Sequence, residues 1–296
     1  MDGIFNINKA TGMTSHDVVA KIRKLLKQKR VGHAGTLDPA ASGVLPICIG
    51  QGTRVAEYLS ESGKAYQAEV VFGAATDTYD AEGAITSTAS TTDLTLARIE
   101  ETLPHFLGPQ MQVPPRFSAV KLQGRPAYKR ARAGEEITLE SRPIIIYSLK
   151  VVAWVPPRLT LAIECSKGTY IRSLAHDLGL QLGCYAYLDA LVRTRSGPFT
   201  LSESITPEQL AEAVERNSVQ HYLYPLDKVL EQYPTVMLDA QAVERVKHGN
   251  AFSTSVDDSP GLVRVYDTGG HFLAIARWNE EQKAWQPKKV FAIPDV

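Results

Sequence analysis

Gly32-His33-Ala34-Gly35-Thr36-Leu37-Asp38-Pro39, followed by Ala41-Ser42-Gly43-Val44-Leu45, is the stretch on which the reading of this chain turns. Pro39 fixes its own φ and biases Asp38 toward an extended backbone, while Gly32 and Gly35 let the chain approach a partner closely. An isolated Asp-Pro is ordinarily a turn whose carboxylate caps its neighbours. His33, Thr36 and Asp38 within six residues make a richer set, but spacing alone does not raise it to an active site.

On the N-terminal side, a strand over Ile4 to Ile7 leads to Thr14 or Ser15, either of which can cap a helix running to about Lys27. Val18, Ile22, Leu25 and Leu26 form its apolar stripe, with Arg23, Lys24 and Lys27 opposite. On the C-terminal side, residues 65–72 alternate as a strand does, polar turn material fills 73–95, and a helix spans about Leu94 to Phe106. Segment 108–142 carries four prolines and is too long for a plain connection, which suggests a functional loop or lid. Two strands, 144–154 and 158–165, flank Pro156-Pro157. Lys167-Gly168-Thr169 opens a helix over 170–182, with Ile171, Leu174, Ala175, Leu178 and Leu182 as its buried stripe and Gly183 as its stop. Another helix follows Pro207. Beyond residue 236 the pattern is that of a small β-rich unit. A short helix capped by Asp239 ends at Gly249, and Leu262–Tyr266 and Phe272–Trp278 flank the turn Asp267-Thr268-Gly269-Gly270. A last strand is expected over Lys289 to Ile293.

Basic and acidic residues balance at 32 each, which taken alone argues against a nucleic-acid partner. Their distribution argues the other way. Residues 21–30 hold six cations and no anion, and Lys121, Arg125, Lys129, Arg130 and Arg132 cluster without an acid. Cys48, Cys165 and Cys184 are scattered, so neither a disulfide framework nor a zinc knuckle is indicated, and a reducing cytoplasm is the natural setting. No apolar run approaches the length of a membrane span, and the N-terminus has no signal-peptide layout. Glycine-rich nucleotide loops and paired histidines are missing, so neither a nucleotide cofactor nor a metal is signalled.

Tyr66 begins the strand at 65–72, where an aromatic ring is a core or edge residue or, beside a carboxylate, a stacking platform for an extruded base. Arg172 lies in the first turn of the 170–182 helix; near a carboxylate it could orient that group by a bidentate contact. Ser173, His176 and Asp177 invite a hydrolase reading. Adjacent helical residues point different ways, however, and no Gly-x-Ser-x-Gly turn is present.

Taken together, these segments resemble the TruB family of tRNA pseudouridine synthases over essentially the whole chain. The motifs are the Asp38 turn; Lys64-Ala65-Tyr66; Pro114 to Lys121 with Gly124 to Tyr128; Cys165 to Leu174; and Leu191-Val192-Arg193-Thr194-Arg195-Ser196-Gly197-Pro198-Phe199. Each is short, but five in order are specific. The resemblance implies an α+β pseudouridine synthase fold over residues 1–235, with a central mixed, mainly antiparallel sheet flanked by helices. It also implies a PUA-like RNA-binding domain over 236–296. Asp38 becomes the catalytic carboxylate, Tyr66 the ring against the target base and Arg172 the partner of Asp38. His33, Lys64 and Leu191 join the substrate site, and Lys121, Arg125, Tyr128, Lys129 and Arg130 belong to the inserted loop 108–142 that grips RNA. The implied substrate is uridine 55 in the tRNA T-loop, with no cofactor and no obligatory protein partner for a monomeric, cytoplasmic enzyme.

Overall fold

A computed structural model describes residues 1–118, 120–122, 124–127, 130, 133, 135, 137–254 and 261–291. Strand β1 (Gly3–Lys9) leads into helix α1 (Ser15–Leu25), whose N-terminus is closed by a capping box between Thr14 and Asp17. The short β2 (Val31–His33) precedes the Asp38 turn, and β3 (Ser42–Ile49) follows it. Next come α2 (Ala56–Glu61), β4 (Lys64–Phe72) and the ribbon β5 (Ala74–Thr76) with β6 (Ile85–Thr88). Helix α3 covers Leu96–Thr102 and tightens into a 3₁₀ turn at Leu103–Phe106, where Pro104 has no N–H for a regular helical bond.

Strand β7 (Gly108–Gln112) is followed by the small hairpin β8 (Lys121–Leu122) and β9 (Arg125–Pro126). Strands β10 (Arg142–Val155) and β11 (Arg158–Cys165) then lead to α4 (Ile171–Leu182), which ends at Gly183 in a left-handed conformation. Strand β12 (Ala186–Ser196), β13 (Phe199–Thr200), α5 (Pro207–Glu215) and β14 (Leu223–Tyr224) complete the larger part. The C-terminal part contains β15 (Thr235–Leu238), α6 (Ala240–Lys247, capped by Asp239), β16 (Leu262–Asp267), β17 (Phe272–Asn279) and β18 (Ala284–Val290).

Ten of these strands form one sheet in the order β14-β1-β3-β12-β4-β11-β10-β7, with β2 beside β3 and β13 beside β12. Every pairing is antiparallel except β3 with β12. One face carries α1, α3, α4 and α5 over a core that includes Val18, Ile22, Ile99, Leu174, Leu178 and Leu210. On the other face Ile4, Val44, Cys48, Leu59 and Phe199 pack with Ile275 and Phe291 of the C-terminal part. That part has its own four-stranded sheet, β15-β16-β17-β18, and its own core around Val246, Val265 and Trp285. All three cysteines are free and buried, and among the described residues no helix is long and apolar enough to cross a membrane.

Two expectations change, and one central feature lies where the sequence reading assigned no element. Segment 108–142 is not one continuous loop, because Gly108–Gln112 pairs with β10 as the edge strand of the main sheet. The last strand begins at Ala284 rather than Lys289, since Trp278 and Trp285 pair across β17 and β18 and their rings pack edge to face. Most importantly, β3 and β12 stand at the centre of the sheet, although neither shows a plain strand pattern. Pro46 interrupts β3, and Asp189, Arg193 and Arg195 interrupt β12.

The β3–β12 contact depends on Gly43. Its φ is +102°, and a Cβ there would collide with the backbone of Arg193. Overpacking and a disfavoured φ act together at this position. Gly43→Ala is therefore expected to cost at least about 2 kcal/mol, read from the urea midpoint at constant m-value.

Candidate active site

Side chains two apart on a strand share a face, and two neighbouring strands use this here. Lys64 and Tyr66 on β4 stand beside Leu191 and Arg193 on β12, with Tyr66 directly opposite Arg193. Together with Gly35 to Asp38, Ser118 and the first turn of α4 they line a cleft of about 290 Å³, close to the lower end of small-molecule sites, roughly 300–1,000 Å³.

The Asp38 turn is anchored by its backbone. Ser15 Oγ takes the Leu37 N–H (2.9 Å) and donates to the Leu37 carbonyl (3.1 Å). Gly12 N–H donates to the Pro39 carbonyl (2.9 Å), and Ala41 N–H to the Asp38 carbonyl (3.0 Å). The Asp38 side chain is left 48% exposed, so its carboxylate faces the cleft. Arg172, only 8% exposed, approaches from behind: one terminal nitrogen lies 3.0 Å from Asp38 Oδ2 and the other 3.1 Å from Asp80 Oδ2. The guanidinium also donates to the carbonyls of Phe117 (3.0 Å) and Thr78 (3.4 Å). The expected bidentate grip on Asp38 is thus replaced by a bridge between two carboxylates. Asp80 lies within the stretch read only as polar turn material, and no local pattern marks it.

Tyr66 is buried, and burial pushes its phenol pKa up, so the ring is a neutral wall. Leu191 lines the cleft next to it. The Lys64 ammonium donates to the carbonyls of Ser60 (3.1 Å) and Ser62 (2.7 Å) at the end of α2. Burial, and secondarily Arg193, lowers its pKa to about 8. His33 does not line the cleft. It ends β2 with its ring edge-on to His16, centroids 5.3 Å apart, and burial lowers its pKa, with His16 contributing next. In the 108–142 segment Arg125 is exposed on β9, whereas Arg130 is paired with Glu135 at 2.6 Å. Lys121 lies on the backbone of β8. Tyr128 and Lys129 lie outside the described residues.

Two buried cations escaped the sequence reading. Lys9 donates to the carbonyls of Ala10 (2.9 Å), Met13 (2.7 Å) and Pro39 (3.3 Å), and burial lowers its pKa. Arg193, 1% exposed, donates to Val44, Gly35 and Thr36. Arg193 is part of a quoted motif, but in the sequence it is one of two arginines, with nothing to say which is buried. Among the described residues no group of His, Cys, Asp and Glu is placed to hold a metal ion.

Three family models match consecutive stretches of the chain. They are TruB family pseudouridylate synthase (N terminal domain) over residues 23–171, tRNA pseudouridylate synthase B C-terminal domain over 172–231, and Pseudouridine synthase II TruB, C-terminal, over 234–290. A protein of Dehalococcoides mccartyi named tRNA pseudouridine synthase B is 42% identical over 294 residues, covering 99% of this chain and 98% of that one. Its namesake in Clostridium kluyveri is 43% identical, over 93% of this chain and 95% of that one. Among solved structures, similarity extends to a chain of an H/ACA RNP bound to a substrate RNA containing 2′-deoxyuridine. That match has a TM-score of 0.76 and 26% identity, over 99% of this chain and 86% of that one. A chain of a Cbf5-Nop10-Gar1 complex matches with a TM-score of 0.77 and 28% identity, over 98% and 85%.

Ser173, His176 and Asp177 do not converge. Ser173 donates to the Val113 carbonyl (2.8 Å), and His176 stacks on Tyr79 with ring centroids 3.8 Å apart. Asp177 is partly buried, and burial raises its pKa to about 6. The folded state then holds this proton more tightly than the unfolded chain, whose carboxyl titrates near 3.8. The contribution is neutral at low pH and becomes destabilising as pH rises through this window. Asp177→Asn should accordingly raise Tm at pH 7.5, with the gain fading as the pH is brought down to 4; an equal gain at both values would contradict it.

Proposed function

The chain belongs to the TruB family of pseudouridine synthases, and on that premise we propose that it converts uridine 55 in the T-loop of tRNAs to pseudouridine, with Asp38 as the reacting carboxylate. The observation that carries this reading is a half-exposed carboxylate on a pinned turn, held by a buried guanidinium and facing the wall formed by Tyr66 and Leu191.

The reaction breaks the bond from C1′ to N1 of uracil, turns the base and joins C1′ to C5. The C5 proton is lost and N1 gains one, so substrate and product are isomers and no co-substrate is consumed. As a nucleophile at C1′, the Asp38 carboxylate forms an ester while the C1′–N1 bond breaks, and it is released again when C5 bonds to C1′, which divides one hard step into two easier ones. Arg172 orients Asp38 from behind, leaving the exposed side of the carboxylate to the substrate. Tyr66 stacks against the base, and the apolar wall limits access of water that would otherwise capture the detached sugar. Extruding the target from its stacked loop costs on the order of a few kcal/mol. Phosphate contacts from the cations of residues 21–30 and from Lys121, Arg125 and Lys129 of segment 108–142 offset that cost, with Tyr128 and the Glu135-paired Arg130 completing the RNA-gripping surface.

In this reading residues 1–235 form the catalytic domain, and 236–296 form an RNA-binding domain of PUA type. The protein works in the cytoplasm as a monomer without an obligatory protein partner. A direct test is pseudouridine formation by the purified protein on a bare T-stem-loop RNA. Turnover that requires a guide RNA or accessory proteins would overturn the stand-alone reading.

Asp38→Asn is expected to abolish product while tRNA affinity stays within severalfold. Substantial remaining turnover would remove Asp38 from its role. Arg172→Lys should lower the single-turnover rate by on the order of 100-fold, because an ammonium cannot reproduce the planar set of donors that serves Asp38, Asp80 and the Thr78 and Phe117 carbonyls together, and a shift of about 1 Å is that costly. Arg125 and Arg130 of the basic segment should differ. Arg125→Ala is expected to reduce the slope of log Kd against log salt by about 0.7–1. Arg130→Ala, already paired with Glu135, should change it little.

A further inference from the structure

Arg193 is a fully buried cation with no carboxylate within ion-pair distance among the described residues. Burying a charge costs several kcal/mol unless its donors are satisfied. Here they are satisfied almost wholly by backbone. Nε donates to the Val44 carbonyl (2.7 Å), one terminal nitrogen to Gly35 (3.0 Å) and the other to Thr36 (3.4 Å). Tyr66 is the direct cross-strand partner of Arg193, and the guanidinium beside its phenol opposes the rise in pKa that burial causes.

These contacts lie on both sides of the cleft. Gly35 and Thr36 begin the turn that ends in Asp38, Val44 lies on β3, and Tyr66 belongs to β4. Gly35, at φ +89°, comes so near that a Cβ would stand 3.5 Å from the Arg193 guanidinium and 3.6 Å from Lys64 Cε. A neutral donor suffices to hold a single carbonyl of this turn, as Ser15 does for Leu37. What a hydroxyl or an ammonium cannot supply is a rigid plane with several donors in fixed directions.

Resting on the reading of Asp38 and Tyr66 given above, we infer that Arg193 is a positioning residue of the reaction. Its planar fork sets the separation between the Asp38 turn and the Tyr66 ring, and it acts through these two groups rather than on the substrate. The fork, and not merely the positive charge, is the active feature. Reacting atoms must be held within a narrow range of distance, and a displacement of about 1 Å costs roughly 100-fold in rate.

The test compares Arg193→Lys, Arg193→Met and Asp38→Asn with the unmodified protein, by single-turnover pseudouridine formation, tRNA Kd and Tm. Arg193→Lys keeps the charge and loses the fork. The expected result is a rate lowered about 100-fold in both Arg193 variants, with Kd within threefold and the assay run well below either Tm. A normal rate in Arg193→Lys would show that charge alone suffices and overturn the inference, as would a loss confined to Kd or Tm. Should Arg193→Met not fold, Arg193→Lys decides. Should neither fold, Gly35→Ala decides, since φ +89° disfavours a side chain there and so displaces the turn from an intact Arg193: a lowered rate at unchanged Kd supports the inference and a normal rate overturns it. Asp38→Asn separates the two claims. If it is inactive while Arg193→Lys is normal, only the role of Arg193 fails; if it stays active, the underlying reading fails and the inference with it.

Discussion

Arg172 enters the cleft from the first turn of α4, the end of a helix whose dipole disfavours a cation. It is kept there by two carboxylates, Asp38 from the turn between β2 and β3 and Asp80 from the turn between β5 and β6. Because the arginine is buried and Asp38 is half exposed, the pair is asymmetric: its rigid member is the cation, and its accessible member is the group that faces the cleft. Removing either carboxylate leaves a buried charge short of a partner. The turn at Asp38, the ribbon containing Asp80, and α4 are therefore coupled at one guanidinium, and the shape of the cleft depends on all three.

Around this ion bridge the protein relies on backbone carbonyls rather than on further acids. Lys9 and Arg193 hold the carbonyls of Gly35, Thr36 and Pro39, residues that flank Asp38 on both sides. Charged donors to carbonyls are worth about 1.5–3 kcal/mol each, more than neutral ones, which offsets part of the cost of burying the cations. Among the described residues neither Lys9 nor Arg193 has a carboxylate at ion-pair distance, so positive charge is concentrated behind the cleft. This suits a site read as handling a polyanion and a carboxylate together.

Local chemistry was the legible part of the fold. Thr14 and Asp239 cap the helices assigned to them, Gly183 ends α4, and the turn at 267–270 joins the two strands expected there. Each of these signals acts within a few residues and needs no distant partner. Central strands were harder to read. Pro46 within β3 and the charged residues of β12 contradict a buried-strand pattern, yet both strands lie mid-sheet. Polar groups there are tolerated because other parts of the chain supply acceptors, as Val44, Gly35 and Thr36 do for Arg193. Such compensation has no signature in the neighbouring sequence.

For the site, the sequence by itself identified a glycine-rich turn ending in Asp38, an aromatic residue at the start of a strand, and an arginine at the start of a helix. The order of the motifs tied these three to one family. Only the tertiary structure decided that Arg172 bridges two carboxylates instead of clasping one, that Asp80 is the second, and that Arg193 is buried between Gly43 and Tyr66 while Arg195 pairs with Glu164 at the surface. The reason lies in separation along the chain. Asp38, Asp80 and Arg172 are far apart in sequence, so their meeting depends on strand order and register, which no short-range preference of the chain encodes.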